Sequence, residues 1–236
     1  MAYRELDSGK LIETLKSLAR RIGERFPGSG LSAVAEELVR LADTTEREAA
    51  RIASPNIALR LTAYAAVAGG VAGVIAIVWL VKLRMGDPEV FEVFQGVEAA
   101  INIIAVAGAI IFFAITIGDR IRRRRAMKSL HGIRSLIHVI DMHQLTKDPS
   151  VVIEPSHPTR SSPERRLTRF ELVRYLDYCS EMLSLAGKLA ALYAQSLPDS
   201  VVISAVNDIE ELAGLFSQKI WQKIAILERN DSPGVG

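Results

Sequence analysis

The sequence predicts an all-α membrane protein: a two-span transmembrane helical hairpin with N- and C-terminal cytoplasmic amphipathic helices forming a bundle. Three observations carry that expectation. Two uncharged apolar runs, residues 61–81 and 99–118, stand close together in the chain. A block of arginines follows the second run directly. Outside this pair, apolar residues recur at helical spacing on both sides. The composition agrees: 49% hydrophobic and 24% charged residues among 236 describe apolar segments set beside well-solvated ones. A formal net charge of +2 calls for no polyanionic partner, so no nucleic acid is expected. Cys179, alone of its kind, allows no internal disulfide and no thiolate cluster. The charged, amphipathic opening does not look like a cleavable secretory signal.

The N-terminal cytoplasmic region, residues 1–56, holds two helices. Over residues 8–26 the positions Leu11, Leu15, Leu18 and Ile22 share one face. FPGSG, residues 26–30, breaks that helix. A second runs from about Ser32 to Ala53, with Val34, Leu38, Leu41, Thr45, Ala49 and Ile52 on its apolar side. Ser54-Pro55-Asn56 then marks entry to the transmembrane hairpin, residues 57–119.

As a helix, residues 61–81 would be about 32 Å long, enough for the hydrocarbon core of a bilayer. Arg60 and Trp79 suit interfacial anchors near opposite ends. Ala65, Gly69 and Gly73 form a small-residue seam, with Ala72 and Ala76 alongside. The simplest hairpin closes that seam against its own second span; a contact between subunits is the sharper alternative. Asp87-Pro88-Glu89 reads as the start of the second membrane helix. From there Glu92, Gln95, Glu98 and Asn102 fall within an arc of roughly 120°, and Thr116 continues near that face. Either residues 88–97 lie flat at the outer interface, or Glu98 sits below it, where a charge costs roughly 2.5–3.5 kcal/mol. In the second case the stripe would line a pore or a subunit contact.

Arg120, Arg122, Arg123, Arg124, Arg125 and Lys128 follow the second span, whereas Lys82 and Arg84 between the spans are outnumbered by Asp87, Glu89, Glu92 and Glu98. The excess of Lys and Arg marks the cytoplasmic side, so both termini are expected in the cytoplasm and the hairpin in the inner membrane. The same cluster suits the headgroups of anionic lipids.

Residues 120–147 continue as a membrane-proximal helix, with Leu130, Ile133, Ile137 and Ile140 on one side. Residues 148–166, with four prolines, read as a flexible linker. Two helices close the chain within 167–229. In the first, Leu172, Leu176, Cys179, Leu183, Ala186, Ala190 and Tyr193 alternate spacings of four and three; in the second, Val202, Val206, Ile209, Ala213, Phe216 and Ile220 do the same. Pro198 suits the start of the second. Phe170, Val173, Leu185, Leu189 and Leu192 widen the apolar face, which predicts a bundle of three or more helices, a homo-oligomer, or a cytoplasmic protein partner.

His131, His138, His143 and His157 are the histidines, and His138, Asp141 and His143 are the best available metal set. His138 and His143 lie five apart, about 140° from alignment on a helix, so the set is poorly directed. The bland alternative has these polar groups hydrogen-bonded to Glu181 or Lys188. No glycine-rich phosphate loop, GxSxG elbow or Cys–His nucleophile pair is present, and no cofactor is expected. In its layout, a two-span hairpin carrying a helical cytoplasmic region resembles small bacterial two-span effector proteins of anti-phage systems. The expectation is a non-enzymatic, self-associating interaction or regulatory module. An oligomeric pore lined by the second span and a metal-dependent membrane-anchored enzyme are the alternatives. Full-length protein should remain in the membrane pellet after alkaline carbonate washing and ultracentrifugation; recovery in the supernatant would refute the membrane reading.

Overall fold

The computed structural model describes residues 5–53, 61, 64–65, 67–76, 79, 90–149 and 167–229, with backbone alone at 90–95, 97, 99–100 and 114–115. Six helices are delimited among the described residues, and no strand occurs there. They are α1 (Ser8–Arg25), α2 (Gly30–Ala53), α3 (Val67–Ala76), α4 (Val90–Leu145), α5 (Arg169–Ser196) and α6 (Ser200–Arg229). Asp87-Pro88-Glu89 and most of the expected linker lie outside the described residues. Two compact units divide the chain: residues 1–53 with 123–236, and residues 54–122.

The larger unit is a helical bundle. Asp7 caps α1 by accepting the backbone N–H of Lys10 at 3.1 Å. Past the end of α1, Gly28 takes a left-handed φ of +67°, a conformation a side chain resists, and this turns the chain into α2. The hydrophobic positions of both helices are buried as their spacing predicts, Leu41 only in part. Lys16 and Asp43 pair between them at 3.1 Å.

α5 opens with a reciprocal capping box. Thr168 Oγ1 accepts the N–H of Glu171, and the Glu171 carboxylate accepts the N–H of Thr168. Threonine followed three residues later by glutamate was a readable start signal. For α6 the start is Asp199, whose Oδ1 accepts the N–H groups of Val201 (3.0 Å) and Val202 (3.3 Å). Pro198 therefore lies before the cap, not at the first helical position. A proline has no N–H to offer a cap, while the aspartate has the acceptor.

Every residue of the two spaced apolar rows is buried, from Leu172 to Tyr193 on α5 and from Val202 to Leu227 on α6. Against them lie Ala126, Leu130, Ile133, Ile137 and Ile140 of α4, each at most 2% exposed. Phe170, expected in the core, is instead 62% exposed, with the Arg25 guanidinium 5.4 Å from its ring centre. It precedes the buried row by two positions, which at 100° per residue turns it outward.

The smaller unit contains α3 and the first part of α4. Residues from Ile101 onward in α4 form a helix long and apolar enough to cross a membrane, and none of its most apolar window is buried. Ile103, Val106, Ile110, Phe112 and Phe113 are all exposed. The described part of the first run, α3, is apolar but shorter than a span; its flanks lie outside the described residues. A Cβ added at Gly69 or Gly73 would meet nothing within 4 Å. No described residue packs on the small-residue seam at these two glycines, and much of the expected hairpin lies outside the described residues.

Deleting a core side chain of α4 should be expensive. Ile137→Ala, at a fully buried position, is expected to cost about 2–5 kcal/mol, read as a lowered unfolding midpoint in detergent. Ser135→Ala on the exposed side of the same helix should leave it within about 0.5 kcal/mol.

Candidate functional site

Three groups of residues come forward from the sequence, and the structure sorts them differently. In the polar stripe, Glu98 and Asn102 are both exposed and, four residues apart, share a face of α4. Thr116 is exposed too, but its hydroxyl donates to the carbonyl of Phe112 at 2.8 Å, so its polarity is met locally. Glu92 and Gln95 are helical, and their side chains lie outside the described residues.

The basic cluster divides. Arg120, Arg124, Arg125 and Lys128 are exposed. Arg122 is half-buried and approaches Asp119 at 3.6 Å. Arg123 leaves the cluster altogether: its Nε and Nη2 donate to Asp199 Oδ2 at 2.9 and 2.6 Å. A lipid-facing role does not fit this arginine, because its fork is committed to the carboxylate that also caps α6. Burial pushes the Asp199 carboxyl up, but the Arg123 hydrogen bonds, the two backbone N–H groups and the arginine charge together hold it below the usual value.

The histidine patch does not converge. His138 is exposed and meets Phe216 edge-on at 5.7 Å between ring centres. Asp141 Oδ1 accepts the Gln144 amide at 2.7 Å. His143 Nδ1 lies 3.4 Å from the Tyr175 hydroxyl. No group of three or more His, Cys, Asp or Glu suited to a metal occurs among the described residues. The expected partners are engaged elsewhere. Glu181 accepts from Arg21 at 2.8 Å, and Lys188 donates to Ser184 at 2.7 Å.

What the fold does gather, and sequence spacing could not show, is a polar joint at the C-terminal end of α4. Gln144 is 1% exposed; its backbone carbonyl and Oε1 both accept from Lys223 Nζ, at 2.9 and 2.7 Å. A cation from α6 thereby caps the negative end of α4. Burial lowers the Lys223 ammonium, while Asp148, Asp141 and Cys179 oppose that shift. Lys147 sits 4.9 Å from the Tyr175 ring centre. Cys179 beneath is fully buried, and burial pushes its thiol up to about 12 despite Lys147 and Lys223. It is a neutral core thiol rather than a thiolate nucleophile.

His143 reaches a third helix. A methyl group at Gly30 would stand 2.5 Å from His143 Cε1, so the first residue of α2 has to be small for the ring to seat. A second polar patch joins α1 to α5: the Arg174 and Arg21 guanidiniums lie 4.9 and 5.9 Å from the Tyr178 ring centre. Phe26 packs edge-on against Tyr175 and Tyr178.

No protein-family model, curated protein or solved structure matches this chain. The joint can lock the end of α4 to α2, α5 and α6, and the exposed charges and apolar side chains outside it are what remains for binding.

Burial, then the Lys147 charge, lowers the His143 pKa below the ordinary histidine value. A depressed value means the folded state prefers the neutral ring. The stabilisation is complete above about pH 6.5 and is lost as pH falls toward the folded value. The unfolding midpoint should accordingly drop between pH 7.5 and about 5.5, above the carboxylate range. His143→Gln, neutral throughout, should flatten that drop; an unchanged pH profile would remove His143 as its source.

Proposed function

We propose that this chain is a non-enzymatic integral membrane protein of the inner membrane whose cytoplasmic bundle mediates self-association or regulation. One observation carries the reading. α6 turns five large apolar side chains outward, Val201, Ile203, Leu215, Trp221 and Ile226, Trp221 being 55% exposed. Val201, Leu215 and Ile226 fall within about 40° of one another, and this row on a helix already committed to a core supports a protein-facing surface. Two further features support association between copies. The seam of Ala65, Gly69 and Gly73 is left open along described residues. The exposed Arg120, Arg124 and Arg125 suit anionic headgroups that would hold neighbouring copies at one level. Both termini lie in the cytoplasm on this reading, and a cytoplasmic protein partner could use the same α6 surface.

A pore is the second reading, and its support is the pairing of Glu98 with Asn102 on one exposed face of an otherwise apolar stretch. Charge at that depth calls for water or a polar neighbour from another copy.

In zwitterionic nanodiscs or mild detergent, light scattering of the full-length protein should report a multiple of the 25.8 kDa chain. A monomer at micromolar concentration would refute self-association. For the pore, liposomes carrying wild-type protein should pass ions in a pH-dependent way, and Glu98→Gln should abolish that dependence. Equal, negligible flux for both would dismiss it.

A further inference from the structure

We infer that the outward face of α4 around Lys128, His131 and Arg134 docks against the outward face of α6 around Asp208 and Glu211 in a second copy of the chain. The inference rests on the self-association reading above and names its surface.

The two faces are complementary and unmatched. Lys128, His131 and Arg134 recur every third residue, are exposed, and make no ion pair among the described residues. Lys128 and His131 point away from the buried side of α4 marked by Ile133 and Ile137, and Arg134 stands at its flank. On α6, Asp208 and Glu211 are exposed, equally without an ion pair, and lie opposite the buried Val206 and Ala213. The chain meets some surface charges internally, as in Arg21–Glu181 and Arg123–Asp199, whereas these two sets of opposite sign are left unmatched.

Their heights agree. Arg123–Asp199 and Gln144–Lys223 tie α4 and α6 at two levels, which makes them parallel and sets their register. Measured from the first tie at 1.5 Å per residue, Lys128, His131 and Arg134 stand about 8, 12 and 17 Å along α4. From the same tie, Asp208 and Glu211 stand about 14 and 18 Å along α6. Just beyond, exposed Val139 and Leu215 both fall at about 24 Å. A rotation about an axis parallel to these helices therefore brings acid to base and valine to leucine within about one helical turn, the two ties differing in level by about 4.5 Å.

The faces belong to different helices, so the contact is head-to-tail and builds a ring where the rotation closes. Lys128, grouped by sequence with the lipid-facing arginines, then belongs to the protein interface. Anionic lipid or nucleic acid could satisfy the basic face, but either would leave Asp208 and Glu211 without a partner.

The test uses full-length protein in zwitterionic nanodiscs. Lys128→Glu with Arg134→Glu, and separately Asp208→Lys with Glu211→Lys, should each weaken assembly by about tenfold or more, because like charges then oppose across the contact. All four substitutions in one chain, or an equimolar mixture of the two double variants, should restore it. All four positions are exposed, so loss of assembly with an unchanged unfolding midpoint separates the contact from misfolding. An oligomer indifferent to both reversals overturns this interface while leaving self-association standing; monomeric wild type overturns both. If only the basic-face reversal has an effect, and only in anionic bilayers, the surface is a lipid site and the proposal fails.

Discussion

One helix has to satisfy two different surroundings. α4 is unbroken over 56 residues. In its first part large apolar side chains such as Ile110 and Phe112 stand exposed; in its last part Ile133, Ile137 and Ile140 have no exposure at all. Its backbone hydrogen bonds are internal throughout, so they survive in either environment, and only the side chains decide where each part belongs. The larger unit can be understood as the cover that α1, α2, α5 and α6 provide for the second part. Without that cover, apolar residues at about 25 cal/mol per Å² would face water.

Covering a helix does not by itself fix its register, and here polar ties do so. At one end Asp199 caps α6 with one oxygen and holds Arg123 with the other. At the other end Lys223 caps the last carbonyls of α4, and His143 wedges between Gly30 and Tyr175. A buried amide or ammonium left unpaired costs on the order of 1–3 kcal/mol, so a shift of one helical turn would break several such bonds at once.

The same logic sorts the charges. Arginines that find a carboxylate at the bundle surface are withdrawn from other use, as Arg21, Arg123 and Arg174 are. Those that find none, with Asp208 and Glu211 on the other side, remain exposed as the long-range field of the bundle surface. Aromatic rings take part: Tyr175 and Tyr178 serve as flat supports for cations while their buried edges pack on Phe26.

Periodicity was legible almost everywhere. The apolar rows of α1, α2, α5 and α6 could be read from spacing because a helix returns to the same face every three or four residues, and burial follows that face. Boundaries were mostly legible for a similar local reason, and the capping box at Thr168 could have been read as well. Long-range partners were not legible. Arg123 looked like one more member of a basic run, and His138 and His143 like parts of a common set. What separates them is which neighbour 30 to 160 positions away in the chain arrives beside them: His143 with Tyr175, Arg21 with Glu181. The sequence alone determined an all-helical chain with a membrane-length apolar helix and an amphipathic remainder, because those properties depend on residues a few positions apart. Only the tertiary structure decided which charges are spent inside the bundle and which are left outside, because pairing is a matter of distance in space.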